Sequence, residues 1–346
     1  MARHALVVRL DNDGDVLLAG PAVRAVAAGA ERVTLLCGPR GVQAAALLPG
    51  VDDVLVRRAE WIDPDAPPVD RAAIDASIDE LAALHADAAI VLTSFHQSAL
   101  PAALLLRMAG VATIAAISED FPGSLLDVRV ADPGDVHESR RGLVVAAALG
   151  FTLPEGDGGE LRARAGAPPA GLPDRYVVVH PGASVPARAW APERHSALVE
   201  ALVAGGRAVV VTGAPGERAL TTVVAGAAAR DGVIDLGGAT TLAQLAGVLA
   251  GADAVVVGNT GPAHLAAAVG TPVVSLFAPT VPAARWRPWA VPHVLLHRDV
   301  PCAGCRARRC PVAGHPCLEG VGVDEVLDAL DRLTPTTPAA AEVVAA

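Results

Sequence analysis

The sequence predicts an α/β protein of two domains, each built on a parallel sheet covered by helices. Three observations carry this expectation. Short runs of β-branched and small apolar residues alternate with helix-periodic segments over residues 5–149. A Gly- and Pro-rich stretch at 154–173 breaks the alternation, which then restarts at 176. With 346 residues, the chain is also long enough for two domains that each bury a core.

In the first half, strands are expected at 5–10, 32–37, 53–56, 88–92 and 111–114, all short and apolar. Helices are expected at 16–27, with Pro21 tolerated near the first turns, and at 69–85, where Ile74, Ile78 and Leu81 share a face. Two more fall at 98–108 and 137–149. The second half reads as strands at 176–180, 208–212, 233–236, 255–257 and 272–277. Its helices are expected at 192–204, 217–229, 241–249, 264–269 and 323–333. The expected division is therefore a first domain at 1–153, a linker at 154–173, a second domain at 174–333 and a loose tail at 334–346.

Composition removes several classes of function. The 52% hydrophobic content with only 3% aromatics points to small-residue helices packed on valine-rich sheets. The longest uncharged runs, 88–106 and 264–284, are broken by His96, Gln97 and Pro101 and by Gly270, Pro272 and Pro279, so neither reads as a membrane span. The first residues lack a signal-peptide core, and a cytoplasmic protein with at most peripheral membrane contact is expected. A formal net charge of −10 speaks against a nucleic-acid partner. The chain has no Lys, so a phosphate contact from a long basic side chain must come from Arg, whose fork suits oxyanions.

Open parallel sheets bind ligands beyond the carboxyl ends of their strands, which directs attention to the strand-exit loops. The first loop, 11–15, carries Asp11, Asp13 and Asp15. A calcium loop needs Gly at its sixth position and an acid at its twelfth, but Gly14 is fourth and Ala22 twelfth. A D-x-D magnesium site and a single carboxylate acting as base at the helix start both fit the run. The second loop runs from His180 through Ser184 to Arg188, and its small residues, hydroxyl and guanidinium suit a phosphate. The third, Gly213 to Glu217, places an acid at a helix start, where it would hold ribose hydroxyls or simply favour the helix dipole. In the stretch 255–277, Asn259, Thr260 and Gly261 precede a helix containing His264. That arrangement reads equally as an anion site at a helix N-terminus or as a capped core helix with a buried histidine.

In their order and spacing these pieces resemble the heptosyltransferases of glycosyltransferase family nine. The resemblance rests on Arg9 and Leu10 through Gly14 and Asp15, on His180 to Ala183 with Arg188 and Trp190, and on Thr260 to His264 followed by Gly270, Thr271 and Pro272. It extends to Gln97 through Pro101, to His137 with Arg140 and Arg141, to Ala278, Pro279 and Thr280 with Arg285 through Pro288, and to the C-terminal cysteines. It implies a GT-B fold, two Rossmann-like domains facing each other across a cleft, with the nucleotide-sugar donor on the second and the acceptor on the first. It also implies inverting transfer without a required cofactor or metal, from a nucleotide-diphosphate sugar, with an ADP-linked heptose expected. Asp15 would be the catalytic base. Ser184, Arg188, Thr260 and Gly261 would hold the donor diphosphate, Gly213 and Glu217 the nucleotide and ribose, and Asn259 and His264 the donor sugar. Asp13, Gln97 and His137 would lie on the acceptor side. The family's usual acceptor is the lipopolysaccharide inner core, and a different glycan, glycolipid or small molecule is the alternative.

Two positions depart from the family pattern. Asn259 stands where an Asp is usual, which keeps hydrogen bonding but removes charge, and Arg188 stands where Lys is common. Other readings of the same fold are a nucleotide-sugar epimerase and a non-catalytic nucleotide-sugar-binding protein. Cys302, Cys305, Cys310 and Cys317 give C-x2-C-x4-C-x6-C, a spacing that admits a structural zinc or a metal-free loop. Cys37 reads as a buried thiol at a strand end.

Overall fold

In the computed structural model, described over residues 2–63, 65–94, 96–226 and 231–334, the apolar runs form two six-stranded sheets. The first contains β1 (Ala2–Arg9), β2 (Ala30–Cys37), β3 (Asp53–Val56), β4 (Ala88–Val91), β5 (Thr113–Ile117) and β6 (Val128–Val130). The second contains β7 (Val177–His180), β8 (Val209–Val211), β9 (Val233–Asp235), β10 (Ala254–Gly258), β11 (Val273–Leu276) and β12 (His293–Leu296). Their orders are β3-β2-β1-β4-β5-β6 and β12-β11-β10-β7-β8-β9, parallel throughout. Counted from its own first strand, each sheet follows the same doubly wound path, with its reversal between β1 and β4 or between β7 and β10.

The continuous apolar character of the strands follows from burial on both faces. Ala5 and Val7 enter one core while Leu6 and Val8 enter another. Val178 and Val257 join the first of these cores, and Val177, Val179 and Val256 pack on the outer side of the second sheet. Each such fully buried valine or leucine stabilises the fold by roughly 1.5–3 kcal/mol. The core holding Ala5 and Val7 includes the helices Asp13–Leu18, Gly20–Gly29 and Gly261–Ala268, so it runs unbroken from one sheet to the other.

The Gly- and Pro-rich segment between the sheets has no regular structure, yet it is pinned on both sides. Arg164 N–H donates to Leu47 O at 2.8 Å, Ala163 N–H to Ala268 O at 3.1 Å and Gly166 N–H to Ala243 O at 2.8 Å. Arg24 forms a two-pronged pair with Asp157 (Nε to Oδ2 2.7 Å, Nη2 to Oδ1 2.9 Å) and also donates to Glu160 O. The Arg24 hydrogen bond pulls the Asp157 carboxyl down to about 2.

Local differences from the sequence expectation have identifiable causes. The expected helix at 16–27 is two helices, Asp13–Leu18 and Gly20–Gly29, because Pro21 has no N–H to continue the ladder. The helix expected at 264–269 starts at Gly261, with Pro262 in its first turn. The strand placed at 111–114 is β5 at Thr113–Ile117, since Val111 N–H closes the preceding helix by bonding Leu106 O. The sequence pattern does not mark strands β6 and β12 or the four-residue helices Val42–Ala45, Ala283–Trp286 and Pro316–Glu319; both strands are short sheet edges, half-buried along β12 and buried only at Val130 in β6. The helix expected at 217–229 is a 3-10 turn, Pro215–Glu217, followed by Arg218–Ala225. Its last expected residues, and all but Thr334 of the tail, lie outside the described residues. Among the described residues, no helix is long and apolar enough to cross a membrane.

Asp157→Ala should strand the buried Arg24 guanidinium. Breaking a buried pair from one side costs about 3–5 kcal/mol. Urea unfolding should show a loss of that order, and a loss below about 1 kcal/mol would mean that the linker is not anchored through this pair.

Candidate functional site

The two reversals bring four loops together. The loops after β1 and β4 carry Asp11, Asp13, Asp15, Ser94 and Gln97, and those after β7 and β10 carry Ser184, Arg188, Asn259, Thr260 and Gly261. The backbones of the two halves come close together at two glycines. A Cβ built on Gly14 would lie 3.0 Å from Gly261 Cα and 3.4 Å from His264 Cδ2. Gly14 is helical with an ordinary φ, so space rather than backbone conformation calls for glycine there.

On the first-domain side the organising group is Arg9, at the carboxyl end of β1. Its guanidinium lies 3.0 Å from Asp11 Oδ2 and 3.1 Å from Asp15 Oδ1, and it donates to Ser94 Oγ at 2.9 Å. Gln97 donates to Asp11 Oδ1, and its own Oε1 accepts from Ser94 N–H at 3.0 Å. Asp13 turns the other way and accepts from Ala44 N–H at 3.0 Å. Burial raises the carboxyls of Asp11 and Asp13 above the usual range, opposed by Arg9 at Asp11 and by the Ala44 N–H at Asp13. Of these three aspartates, Asp15 lines a small inner cavity of about 10 Å³ together with Arg9, Glu138 and Arg141. A larger cleft of about 340 Å³ adjoins it and shares Thr93, Ile117 and Arg141 as walls.

On the second-domain side, Arg188 ends the 3-10 turn Pro186–Arg188 and reaches Asn259 O at 3.5 Å. The absent side chain of Gly258 admits the Arg188 carbonyl, which a Cβ there would meet at 3.0 Å. Burial lowers the Arg188 pKa, while the Asp15 carboxylate of the other half raises it. Thr260 is the N-cap residue of Gly261–Ala268, yet its side chain makes no cap bond, and its buried Oγ1 has no partner among the described residues. Asn259 donates from Nδ2 to Ala278 O at 3.4 Å, whereas its buried Oδ1 has no partner among the described residues. A carboxylate could not make that donation. His264 Nδ1 is likewise buried without a partner among the described residues, and burial lowers its pKa to about 4.

Ser184 is exposed on the same loop. Glu217 lies over Gly182, whose missing side chain leaves room for its carboxylate, and Glu217 Oε2 accepts from Ala214 N–H at 2.8 Å. His180 Nδ1 bonds Thr212 Oγ1 at 2.9 Å, with its Nε2 3.9 Å from Glu217. A Cβ on Gly213 would meet Thr221 Cγ2 at 2.6 Å. His137 is committed to the contact between the halves: it caps the helix Glu138–Ala148, stacks on Trp289 at 4.3 Å and donates from Nε2 to Arg287 O at 2.9 Å.

Three residues at the centre were given no role from sequence: Arg9, Glu138 and Arg285. Arg285 comes from the second domain, pairs with Asp135 at 2.7 Å and lies 3.7 Å from Glu138 Oε1. Arg9 had a readable signal, a charge ending an otherwise apolar strand; Glu138 had none beyond its helix start.

The four C-terminal cysteines do not form a metal group. Cys302 and Cys305 are exposed, Cys310 is half-buried and Cys317 is buried. Among the described residues no three His, Cys, Asp or Glu side chains are placed to share a cation. The loop instead braces the Arg188 turn: Ala187 N–H donates to Arg308 O at 3.1 Å, and His315 Nε2 donates to Ala187 O at 3.1 Å. Cys37 is buried at the end of β2, and burial raises its thiol to about 11.

Two doubly wound sheets whose reversal points face each other define the GT-B class of fold. Residues 76–315 match the profile of glycosyltransferase family 9 (heptosyltransferase), and the chain belongs to that family. Lipopolysaccharide heptosyltransferase 3 of Escherichia coli is 31% identical over 174 residues, 49% of each chain. Lipopolysaccharide heptosyltransferase 1 of Pseudomonas aeruginosa is 32% identical over 223 residues, 62% of this chain and 61% of that one. The chain thus spans about half the length of the first of these curated relatives and about three fifths of the second. Among solved structures, ADP-heptose lps heptosyltransferase II of E. coli shares the fold with a TM-score of 0.73 at 20% identity, covering 96% of this chain and 98% of that one. The family 9 transferase from Veillonella parvula does so with a TM-score of 0.75 at 16% identity, covering 96% and 97%.

Gly14→Ala should force the two helix starts apart. Overpacking of this kind costs about 1–3 kcal/mol, and it should lower the thermal midpoint; an unchanged midpoint would mean that the contact yields freely. Burial also holds His137 and His195 at about 3, beside His264 at about 4. Unfolded histidines titrate near 6.5, so below that pH the unfolded chain binds more protons and stability falls as pH drops toward 4. The slope approaches about 1.4 kcal/mol per pH unit for each histidine. Urea midpoints from pH 7 to 5 should fall, with a shallower slope in His195→Gln, and a flat profile would contradict burial of neutral imidazoles.

Proposed function

We propose that the chain is an inverting glycosyltransferase that moves a sugar, heptose or a close relative, from an ADP-linked donor to a hydroxyl of a glycan or glycolipid, without a metal. The observation that carries this reading is the placement of Asp15. Asp11 is tied to Arg9 and Gln97 and Asp13 to Ala44, whereas Asp15 lines the inner cavity and is near enough to Arg188 of the other half for its charge to act on that guanidinium.

In this reading residues 1–153 bind the acceptor, 154–173 link, and 174–333 bind the donor. Arg9 is a positioning residue that fixes one oxygen of Asp15. Asp15 takes the proton of the acceptor hydroxyl as its oxygen bonds the anomeric carbon, and the bond to the diphosphate breaks with its electron pair leaving on phosphate. The leaving charge meets Arg188, the Thr260 and Ser184 hydroxyls and the N-terminus of Gly261–Ala268, all without a carboxylate among them. Glu217 and Gly213 stand at the ribose end of that line. Asn259 Oδ1 and His264 Nδ1, both short of a partner among the described residues, are the groups offered to the sugar.

Asp15→Ala should lower transfer by about a hundred- to ten-thousand-fold while ADP still raises the thermal midpoint. Normal turnover in that variant would remove Asp15 as the base. A failure of ADP to stabilise the unaltered protein would remove the donor site.

A further inference from the structure

The cleft beside Asp15 has a charge that restricts what can enter it. Its volume of about 340 Å³ suits one or two sugar rings, and it opens at the carboxyl ends of β4, β5 and β6. Glu119, Asp120 and Asp132 line it against Arg141 and His96. Arg141 is already committed, to Asp132 by a hydrogen bond and to Glu138 at 3.4 Å. Glu119 and Asp120 are exposed, and among the described residues neither carboxylate forms an ion pair.

A buried group in the adjoining cavity points to a ligand independently. Glu138 is only 4% exposed and lines the cavity with Asp15, yet neither of its carboxylate oxygens accepts a hydrogen bond among the described residues. Its neighbours Arg9, Arg141 and Arg285 act on it at ion-pair range or beyond. Ion pairs at 3.4 and 3.7 Å offset part of the cost of burying this charge, but a buried carboxylate that accepts no hydrogen bond still gains from a donor that arrives with a ligand. Sugar hydroxyls are such donors, whereas a carboxylate or a dianionic phosphate only accepts.

We propose that this site takes an uncharged, hydroxyl-rich sugar as acceptor, with Glu138 receiving a hydrogen bond from a hydroxyl of that sugar and Glu119 and Asp120 excluding phosphorylated or carboxylated units. The inference rests on the transferase reading above and adds the chemical class of its acceptor. Negative charges spaced along the walls repel an anion through solvent, and a dianionic phosphate should bind about tenfold more weakly than its neutral parent at low salt.

The test uses the full chain. ADP binding is measured first, by titration calorimetry, because its absence faults the donor reading and says nothing about acceptor charge. Methyl glucoside, its 6-phosphate and the methyl glycoside of a ulosonic acid then compete for the protein, with and without ADP, read by saturation-transfer NMR. The neutral glycoside should bind about tenfold tighter than either anion. The double variant Glu119→Gln, Asp120→Asn should narrow that gap to about threefold with ADP affinity unchanged. Glu138→Ala should weaken the neutral glycoside, while Glu138→Gln, which keeps a carbonyl acceptor, should restore much of the binding. Preference for either anion, failure of all three to bind, or a gap untouched by the double variant overturns the inference.

Discussion

The contact between Gly14 and Gly261 sets the geometry of everything around it. Two helix starts, one after β1 and one after β10, meet backbone to backbone, and a Cβ on Gly14 would come within 3.0 Å of Gly261 Cα. Asp15 follows one of these glycines and Thr260 precedes the other. Their separation is therefore fixed by main-chain packing rather than by flexible side chains, the condition a two-substrate site needs if its groups are to be positioned before ligands arrive. The shared apolar core and the pinned linker hold the same relation from the other side.

Charge is distributed unequally across that contact. On the first-domain side, carboxylates outnumber guanidinium groups, and Arg9 and Arg141 are each engaged with two acids. On the other side stand Arg188, a helix N-terminus and two polar atoms of Asn259 and Thr260 that have no partner among the described residues. The absence of Lys suits this arrangement, since a guanidinium can serve several acceptors in fixed directions, as Arg9 does with Asp11, Asp15 and Ser94. In the transferase reading proposed above, this polarity would put the anionic leaving group on one side and the proton acceptor on the other.

Some candidate residues took on roles that sequence spacing could not show. Asp13 and Asp15 share a loop and a residue type, but a helix turn points Asp13 to the Ala44 N–H and Asp15 to the cavity. The family resemblance places His137 on the acceptor side, and its ring stacks on Trp289 and bonds the Arg287 carbonyl, both from the opposite domain. The cysteine spacing leaves a structural zinc and a metal-free loop both open, and the loop's backbone supports the turn that carries Arg188. Glu138, buried at a helix start beside three arginines, carried no local signal at all.

The sequence by itself determined the two repeated β-α halves, the break between them and the loops that end at the site. These follow from local patterns: two-sided burial makes a strand uniformly apolar, and a glycine- and proline-rich run cannot continue it. Strand order, edge strands such as β6 and β12, and the meeting of Gly14 with Gly261 were decided only in the folded chain. So was the choice of which carboxylate faces the cavity. The edge strands depend on pairing with a neighbour across a connection, as Val128 pairs with Ala115, strand order on pairings such as Ala5 with Ala88, the glycine contact on residues from opposite halves, and the carboxylate on a single turn's direction; none of these leaves a periodic trace in the sequence.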